Sequence, residues 1–337
     1  MKNVLIIGGG LSGCTIAREL SLAGISSVIV EKGESIGGKV RSYGCKADEK
    51  CNNCGLCAVH TLWQDVENDP KIQKLFGSSL VDLSGSAGNL HAVIRTKEGF
   101  FDDSFSDVIV ATGFEDSACT GAAGYEKDSY NRVYTGAELE KLMKDRGSDT
   151  LFSEAPKSAA FIFCYGSRTL KERAAYCSQV CCAYSTRAAK VIKHYYPDTE
   201  VVLFYMDLQA VNPGNYAKEL TDRGIVLERC RPVDLTFDGD YPVVSYEDAD
   251  GKKKRQFDYL FLNTGIHPDV PNNTAIADIT GLKVKSDGFL TYVAPPSVSG
   301  IYLAGTAEKP MNIVGTMANA RNTAMSLINN SAEVSAV

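Results

Sequence analysis

The stretch Val4-Leu5-Ile6-Ile7-Gly8-Gly9-Gly10-Leu11-Ser12-Gly13 lies at the start of the chain and decides its fold. Its apolar run predicts a central parallel strand that is covered on both faces. The glycines that follow form the pattern G-x-G-x-x-G at a turn into a helix. Gly8 allows the tight turn, Gly10 lets a pyrophosphate approach the backbone, and Gly13 lets the helix pack closely against the strand. The stretch therefore predicts a βαβ unit that binds a dinucleotide.

A second apolar strand, Ser27–Glu31, completes this unit and ends on an acidic residue. Glu31 stands where a carboxylate can bind ribose hydroxyls. The run Gly37-Gly38-Lys39 follows closely, as it does in the FAD domains of flavin disulfide reductases. This run favours FAD over NAD as the dinucleotide.

The C-terminal part of the chain resembles the same class. A strand at Ile301–Ala304 leads to a turn at Gly305 and to a helix that begins at Ile313. In this class the N-terminal dipole of that helix stabilises the reduced anionic flavin. An aspartate usually follows the glycine and holds the ribityl chain, whereas this chain has Thr306. The predicted FAD-binding residues are Gly8, Gly10, Ser12, Gly13, Glu31, Lys32, Gly38, Lys39, Ala111, Thr112, Gly113, Gly305, Thr306, Asn312 and Ile313.

Two apolar strands that each end in Thr-Gly predict how the chain divides into domains. Val108–Gly113 and Leu260–Gly265 resemble each other, and in two-domain flavin disulfide reductases such strands mark the crossings between domains. The predicted fold is α/β, with two Rossmann-like dinucleotide-binding domains of the thioredoxin reductase type. The FAD domain is predicted over residues 1–115 and 260–337. The second domain is predicted over residues 116–259, inserted in the first.

The second domain lacks the glycine loop that a nicotinamide domain needs. Its first strand is predicted at Ala159–Phe163, and the sequence continues as Cys164-Tyr165-Gly166-Ser167-Arg168. One glycine of the expected pattern remains, so a pyrophosphate would lose its close approach to the backbone. Binding of NAD(P)H is therefore not expected.

Four cysteines, at 164, 177, 181 and 182, stand where that loop would be. Cys164 ends the predicted strand. Cys177 and Cys181 lie one turn apart on a helix predicted over Tyr176–Tyr195, and Cys182 is adjacent. Thiolates that converge from a strand end and a helix start can hold a 4Fe–4S cluster. The alternative is that these cysteines pack in the core as small hydrophobic side chains.

A second group of cysteines lies within residues 45–60, a candidate cluster-binding segment. Cys51, Cys54 and Cys57 are each separated by two residues, a spacing that suits three ligands of a second cluster. Cys45 is the natural candidate for the fourth ligand, and His60 is another. A redox-active dithiol and inert cysteines are the alternatives.

The pattern Cys164-x12-Cys177-x3-Cys181-Cys182, with the sequence around it, resembles the HdrA subunit of heterodisulfide reductase. The glycine loop, Gly37-Gly38 and the block from Gly305 to Asn312 are similar too. The resemblance covers most of the chain and implies FAD beside a four-iron cluster held by these four cysteines. The family's largest members carry further ferredoxin-like domains, so this chain resembles a short form, as in quinone-linked and sulfur-oxidising systems.

One position near the flavin departs from the family. Members often have a lysine five residues after the paired cysteines, close to flavin N5, where this chain has Arg187. The resemblance therefore implies that Arg187 lies near the flavin. Arginine keeps the positive charge but is a poor proton donor.

Composition limits the remaining function classes. The 337 residues carry a net charge of −6, which does not favour nucleic acid or an anionic membrane surface. No signal peptide is visible, and no stretch approaches the roughly 20 apolar residues that span a bilayer. A cytoplasmic protein is expected, one that meets a membrane only through partners. Eleven cysteines in a reducing compartment indicate metal or redox chemistry rather than disulfides.

The sequence therefore predicts an FAD- and iron–sulfur-dependent oxidoreductase that is active with partner subunits. It would pass electrons between FAD and 4Fe–4S clusters within a heterodisulfide reductase-like or quinone-interacting complex of anaerobic or sulfur energy metabolism. The resemblance also suggests a homodimer. The alternative function is a free-standing FAD-dependent disulfide reductase with its own cysteine dithiol, which would need NAD(P)H.

Overall fold

The computed structural model describes residues 3–116, 131–169, 174–209 and 216–334. The chain divides into two units. The first comprises Met1–Arg41, Gly55–Glu115 and Pro268–Val337, and the second comprises Ser42–Cys54 and Asp116–His267. Among the described residues, no helix is long and apolar enough to cross a membrane.

Strands and helices alternate along both units. The elements of the first half of the chain are β1 (Asn3–Ile7), α1 (Leu11–Leu22), β2 (Ser26–Glu31), α2 (Leu56–Asn68), β3 (Ile72–Phe76), β4 (Ser79–Ser86), β5 (Asn89–Thr96), β6 (Gly99–Phe105), β7 (Asp107–Val110), β8 (Val133–Thr135), α3 (Gly136–Arg146) and β9 (Ser158–Ile162). Those of the second half are α4 (Cys181–Tyr195), β10 (Glu200–Phe204), α5 (Tyr216–Asp222), β11 (Ile225–Glu228), β12 (Asp234–Asp238), β13 (Tyr241–Asp248), β14 (Gly251–Gln256), β15 (Tyr259–Leu262), α6 (Val270–Thr280), β16 (Lys283–Val284), β17 (Leu290–Thr291), α7 (Pro296–Ser299), β18 (Ile301–Leu303) and α8 (Ile313–Val334).

A parallel sheet with the strand order β18-β7-β1-β2-β3 forms the centre of the first unit. Val4, Leu5 and Ile6 of β1 are wholly buried, as the apolar run predicts for a strand covered on both faces. Helices α1 and α8 pack against each other. An antiparallel meander, β4-β5-β6, and a short β16–β17 pair complete the unit.

The second unit has its own parallel sheet, with the order β11-β10-β9-β15-β8. Phe161 of β9 and Phe261 of β15 are fully buried, with ring centroids 4.8 Å apart. An antiparallel meander, β12-β13-β14, adds to this sheet's unit. Two Rossmann-like units, the second inserted in the first, confirm the predicted fold class.

The observed units differ from the predicted boundaries in two places. Strand β15, predicted at the return to the FAD domain, pairs with β9 and β8 of the second sheet, so that unit continues to His267. The segment Ser42–Cys54, predicted within the FAD domain, packs with the second unit. Its Lys46 forms a buried ion pair with Glu140 of α3. These residues are far apart in sequence, so no local pattern predicts the contact.

Candidate functional site

The glycine loop between β1 and α1 depends on two close backbone approaches. Gly8 has φ +106°, and a Cβ there would lie 2.4 Å from the carbonyl oxygen of Ala111. A Cβ on Gly13 would lie 2.0 Å from the carbonyl oxygen of Gly8. Neither position accepts a side chain, so the loop keeps the tight turn and the close helix that the sequence predicts.

Gly10 plays a different part in the same loop. It is the N-cap of α1 and contributes no side-chain cap. Apart from Gly10 and its two neighbours in the chain, no described residue has an atom within 4 Å of the position that a Cβ on Gly10 would take. The N–H groups of a helix's first turn lack intrahelical partners, so this end of α1 offers both donors and room to a phosphate.

Residues from the two ends of the chain meet beside this loop. A Cβ on Gly305, whose φ is +68°, would lie 1.9 Å from Ser12 Oγ in the first turn of α1. The Gly305 N–H donates to Asn319 Oδ1 at 2.7 Å, a contact that sequence reasoning missed. Thr306 is buried beside it. The structure therefore brings predicted residues 12, 305 and 306 together.

Glu31 is held at the end of β2 by the loop itself. Its two carboxylate oxygens accept hydrogen bonds from the N–H groups of Gly9 and Gly33, each at 2.7 Å. Lys32 points elsewhere, since its side chain is 76 % exposed and lies 3.7 Å from Asp269.

The other predicted FAD-binding residues surround the same loop. A Cβ on Gly38 would lie 3.0 Å from Gly10 Cα. Lys39 lies 3.7 Å from the Glu115 carboxylate. Thr112 Cα lies near Gly8, and the buried Thr112 Oγ1 has no hydrogen-bond partner among the described residues. Because an unpaired buried hydroxyl is unfavourable, this atom fits a polar ligand such as FAD.

The remaining predicted residues lie directly after β7 and at the start of α8. Ala111 is buried, and its N–H donates to the carbonyl of Ile7 at 2.8 Å. Gly113 has φ +86°. Asn312 Oδ1 accepts from the Gly315 N–H at 2.8 Å and so caps α8, which begins at Ile313.

The four cysteines at 164, 177, 181 and 182 lie where β9 ends and α4 begins. Cys164 follows β9 and is buried, as are Cys181 and Cys182, the first two residues of α4. The predicted helix over 176–195 is wrong at its start. Gln179 has φ +61°, which a helix does not accept, so Cys177 lies in the loop before α4.

These thiols are electrostatic neighbours. Burial raises the pKa of Cys181, and Cys164, Cys182 and Cys177 raise it further. Burial raises the pKa of Cys182 to about 11, with smaller contributions from Cys164 and Cys177. Burial also raises the pKa of Cys164, and a hydrogen bond from Arg168 offsets part of this rise. Four thiolates at this place therefore need a compensating cation.

Strained backbone marks both cysteine groups. Among the described residues, the non-glycine residues with left-handed backbone are Asn53, Cys164, Arg168 and Gln179. Each such residue costs about 1–3 kcal/mol, and such strain concentrates at functional sites. All of them lie within or beside the cysteine segments, so the surrounding structure holds these segments in unfavourable conformations.

An orphaned polar side chain lies at the same place. Asn263 follows β15 and is fully buried, yet neither Nδ2 nor Oδ1 has a partner among the described residues. Its carbonyl oxygen lies 3.8 Å from Cys181 Sγ, and a Cβ on Gly265 would lie 3.0 Å from the same sulfur. Sequence reasoning missed Asn263, although it stands where the matching strand has the apolar Ala111.

These features fit an iron–sulfur cluster by the chemistry of the donors, although the thiols alone do not form a closed metal site. Among the described residues, no group of three or more Cys, His, Asp or Glu side chains is arranged to hold a metal ion. The helix N-terminus at Cys181 favours negative charge. Arg168 adds a cation beside Cys164, and its guanidinium lies 2.6 Å from Asp207.

The residues of the first cysteine group fall in different units. Cys45, Cys51 and Cys54 belong to the second unit, whereas Cys57 is the second residue of α2 in the first. Cys45, Cys51 and Cys57 are exposed. The proposed cluster ligation by this group stays a prediction.

Arg187 has contacts that sequence reasoning missed. Its Nε donates to the carbonyl oxygen of Asn52 at 2.9 Å, and its Nη2 donates to that of Asn53 at 3.4 Å. Arg187 therefore binds the turn between Cys51 and Cys54. Its expected position near a flavin stays a prediction.

Comparison with known proteins adds to this description. Residues 6–78 match the family of NAD(P)-binding Rossmann-like domains. Among solved structures, thioredoxin reductase from T. acidophilum superposes with a TM-score of 0.66 at 17 % identity, over 98 % of this chain and 99 % of that one. Thioredoxin reductase from Lactococcus lactis gives a TM-score of 0.63 at 13 % identity, over 99 % and 100 %. These structures share the fold.

Sequence relatives point to one family. The HdrA subunit of the ferredoxin:CoB-CoM heterodisulfide reductase of Methanosarcina acetivorans is 25 % identical over 95 % of this chain and 55 % of its own length. The HdrA subunit of the H2:CoB-CoM heterodisulfide,ferredoxin reductase of Methanothermobacter thermautotrophicus is 26 % identical over 95 % and 62 %. The chain thus spans little more than half the length of these relatives. They confirm the predicted resemblance, and the chain is a relative of the HdrA subunits of heterodisulfide reductases.

Proposed function

We propose that this chain is an electron-transfer flavoprotein subunit, with FAD in its first unit and a 4Fe–4S cluster in its second. When bound, FAD exchanges two electrons and the cluster one at a time, so together they connect two-electron and one-electron carriers. The protein's own residues bind these groups, orient them and set the charge around them.

The FAD site would rest on the glycine loop and the residues beside it. The open space at Gly10 would admit the pyrophosphate to the N-terminus of α1. The Glu31 carboxylate, held by two backbone N–H groups, would accept ribose hydroxyls, and Thr112 Oγ1 would gain the polar partner that it lacks. Asn312 would hold the start of α8 in place.

The observation that carries the cluster proposal is that Cys164, after β9, and Cys181 and Cys182, at the start of α4, are buried where a nicotinamide domain would have its glycine loop. Buried thiols with raised pKa values are poor thiolates unless a cation lies among them, and iron supplies that charge. The N-terminus of α4 and the Arg168 guanidinium would stabilise the remaining negative charge.

The relatives' names suggest the setting. They are subunits of heterodisulfide reductases, so we propose that this chain works with partner subunits in a heterodisulfide reductase-like or quinone-interacting complex. Cytoplasmic location, a homodimer and a role in anaerobic or sulfur energy metabolism belong to the same proposal. The chain would contact a membrane only through its partner subunits.

Reduction by different electron donors tests this proposal. We expect that NADH and NADPH leave the flavin of anaerobic protein oxidised, because the second unit lacks the loop that cradles a nicotinamide dinucleotide. Reduced methyl viologen, a one-electron donor, should bleach it fully. Stopped-flow absorbance of the flavin band measures both, with a thioredoxin reductase as the positive control.

Flavin bleaching by NADPH at a rate comparable with that control would instead support the free-standing disulfide reductase. Reversible bleaching by methyl viologen without any change in the broad iron–sulfur absorbance would count against the cluster.

A further inference from the structure

The turn Cys51-Asn52-Asn53-Cys54 has a local geometry that recurs at the other cysteine group. Asn53 has φ +50°, and its backbone N–H donates a hydrogen bond to Cys51 Sγ, with an N–S distance of 3.4 Å. Gln179 has φ +61°, and its N–H donates in the same way to Cys177 Sγ at 3.3 Å. A hydrogen bond to a thiolate is stronger than one to a neutral thiol. Both turns therefore have the shape of a thiolate-binding turn.

Two cations of α4 hold the Cys51–Cys54 turn from one side. Arg187 donates to the carbonyl oxygens of Asn52 and Asn53. Lys190 is buried, and its Nζ lies 3.1 Å from Asn52 Oδ1. Asn52 Nδ2 in turn donates to the carbonyl of Lys46 at 2.7 Å. The turn is thus held through its backbone and through its side chain.

Charged side chains also anchor the residues that lead into the turn. Lys46 and Glu140 form an ion pair in which both side chains are buried. The fully buried Asp48 side chain pairs with Arg223 at 2.8 Å. Removing such charges from water is costly unless their partners are well placed. The segment Ser42–Cys54 is therefore a fixed part of the second unit.

We propose that Arg187 is a positioning residue that fixes the Cys51–Cys54 turn as a thiolate site, one that binds iron as part of a second cluster. The iron part of this proposal rests on the proposed function. Arginine suits the role because its planar, permanently charged guanidinium presents several donors in a fixed arrangement. Helix α4 carries Cys181 and Cys182 at its start and Arg187 further along, so one helix contributes to the Cys164–Cys182 site and contacts the Cys51–Cys54 turn.

Thiol alkylation tests the proposal on anaerobically purified full-length protein. Iodoacetamide labelling of Cys51 and Cys54 is followed by peptide mass spectrometry, with the half-buried Cys230 as the internal reference. In Arg187→Gln we expect labelling of both cysteines to accelerate about tenfold, the effect of losing roughly one hydrogen bond. Iron should fall by about four atoms per chain. Arg187→Lys, which keeps the charge but not the fork of donors, should accelerate labelling less.

Lys218→Gln is the matched control, because it removes an exposed cation whose ion pair among the described residues is with Asp222 of the same helix, at 2.6 Å. It should leave the labelling rates and the iron content unchanged. Unchanged labelling of Cys51 and Cys54 in Arg187→Gln overturns the proposal.

The direction of the change separates this proposal from the iron chemistry. Slower labelling in Arg187→Gln, with iron unchanged, would mean that the Cys51 and Cys54 thiols hold no iron; this overturns the second cluster and leaves Arg187 as a positioning residue for free thiols. If Arg187→Gln unfolds the unit, Arg187→Lys replaces it as the deciding variant, since it keeps the charge but loses the planar set of donors to the carbonyl oxygens of Asn52 and Asn53. Wild-type labelling rates in that variant overturn the proposal.

Discussion

Replacing Gly10 with alanine should lower the affinity for FAD about a hundredfold, equivalent to about 3 kcal/mol, while the ligand-free protein keeps its stability. Apart from the two neighbours in the chain, no described residue has an atom within 4 Å of the new Cβ, and the φ of −75° at this position suits any residue. The protein therefore tolerates the methyl group. A pyrophosphate at the N-terminus of α1 does not, because it needs the backbone at close range.

Two glycine variants give the contrast. Gly13→Ala places a Cβ 2.0 Å from the Gly8 carbonyl oxygen, so it should destabilise even the ligand-free protein. Gly24→Ala, in the turn after α1, meets open space but has φ +79°, so it should lower the stability of the ligand-free protein and change FAD affinity little. Flavin fluorescence titration and thermal unfolding of the ligand-free protein measure the two effects. Equal FAD affinity in Gly10→Ala and wild type would contradict the proposed site.

Cys181→Ala should remove the cluster of the second unit and leave FAD in place. Cys181 is buried at the start of α4, and the neighbouring Cys164, Cys177 and Cys182 all act on its pKa. Loss of one of four thiolate ligands opens the cluster to hydrolysis and oxidation, so we expect iron to fall by about four atoms per chain. The electron paramagnetic resonance signal of the reduced cluster should disappear as well.

Cys230→Ala is the matched control, since Cys230 is half-buried and its pKa is raised by burial and by acidic neighbours, with no contribution from another cysteine. It should keep the iron, the signal and the flavin. If Cys181→Ala also keeps its iron and its signal, Cys181 is not a ligand.

The first unit follows closely from its sequence. An apolar strand, a glycine pattern and an acidic strand end are local features, and β1, α1 and β2 form where they predict. Gly8, Gly13, Ser12 and Gly305 meet because their small size permits the close approaches that the fold requires.

The cysteine sites depend on features that a local pattern does not contain. Gln179 adopts a left-handed conformation, and so α4 starts at Cys181. The residues around Gln179 favour a helix, so the local sequence does not predict this conformation. The segment Ser42–Cys54 joins the second unit through ion pairs between residues far apart in sequence, such as Lys46 with Glu140. The resemblance implies that Arg187 lies near the flavin, whereas its observed partners are the backbone carbonyls of Asn52 and Asn53.

The content of flavin, iron and acid-labile sulfide per chain, measured on anaerobically purified protein, tests the central claim most directly. We predict one FAD with about four iron and four sulfide for a single cluster, or about eight of each if the Cys51–Cys54 turn also binds iron. Flavin with no stoichiometric iron or sulfide would contradict the account.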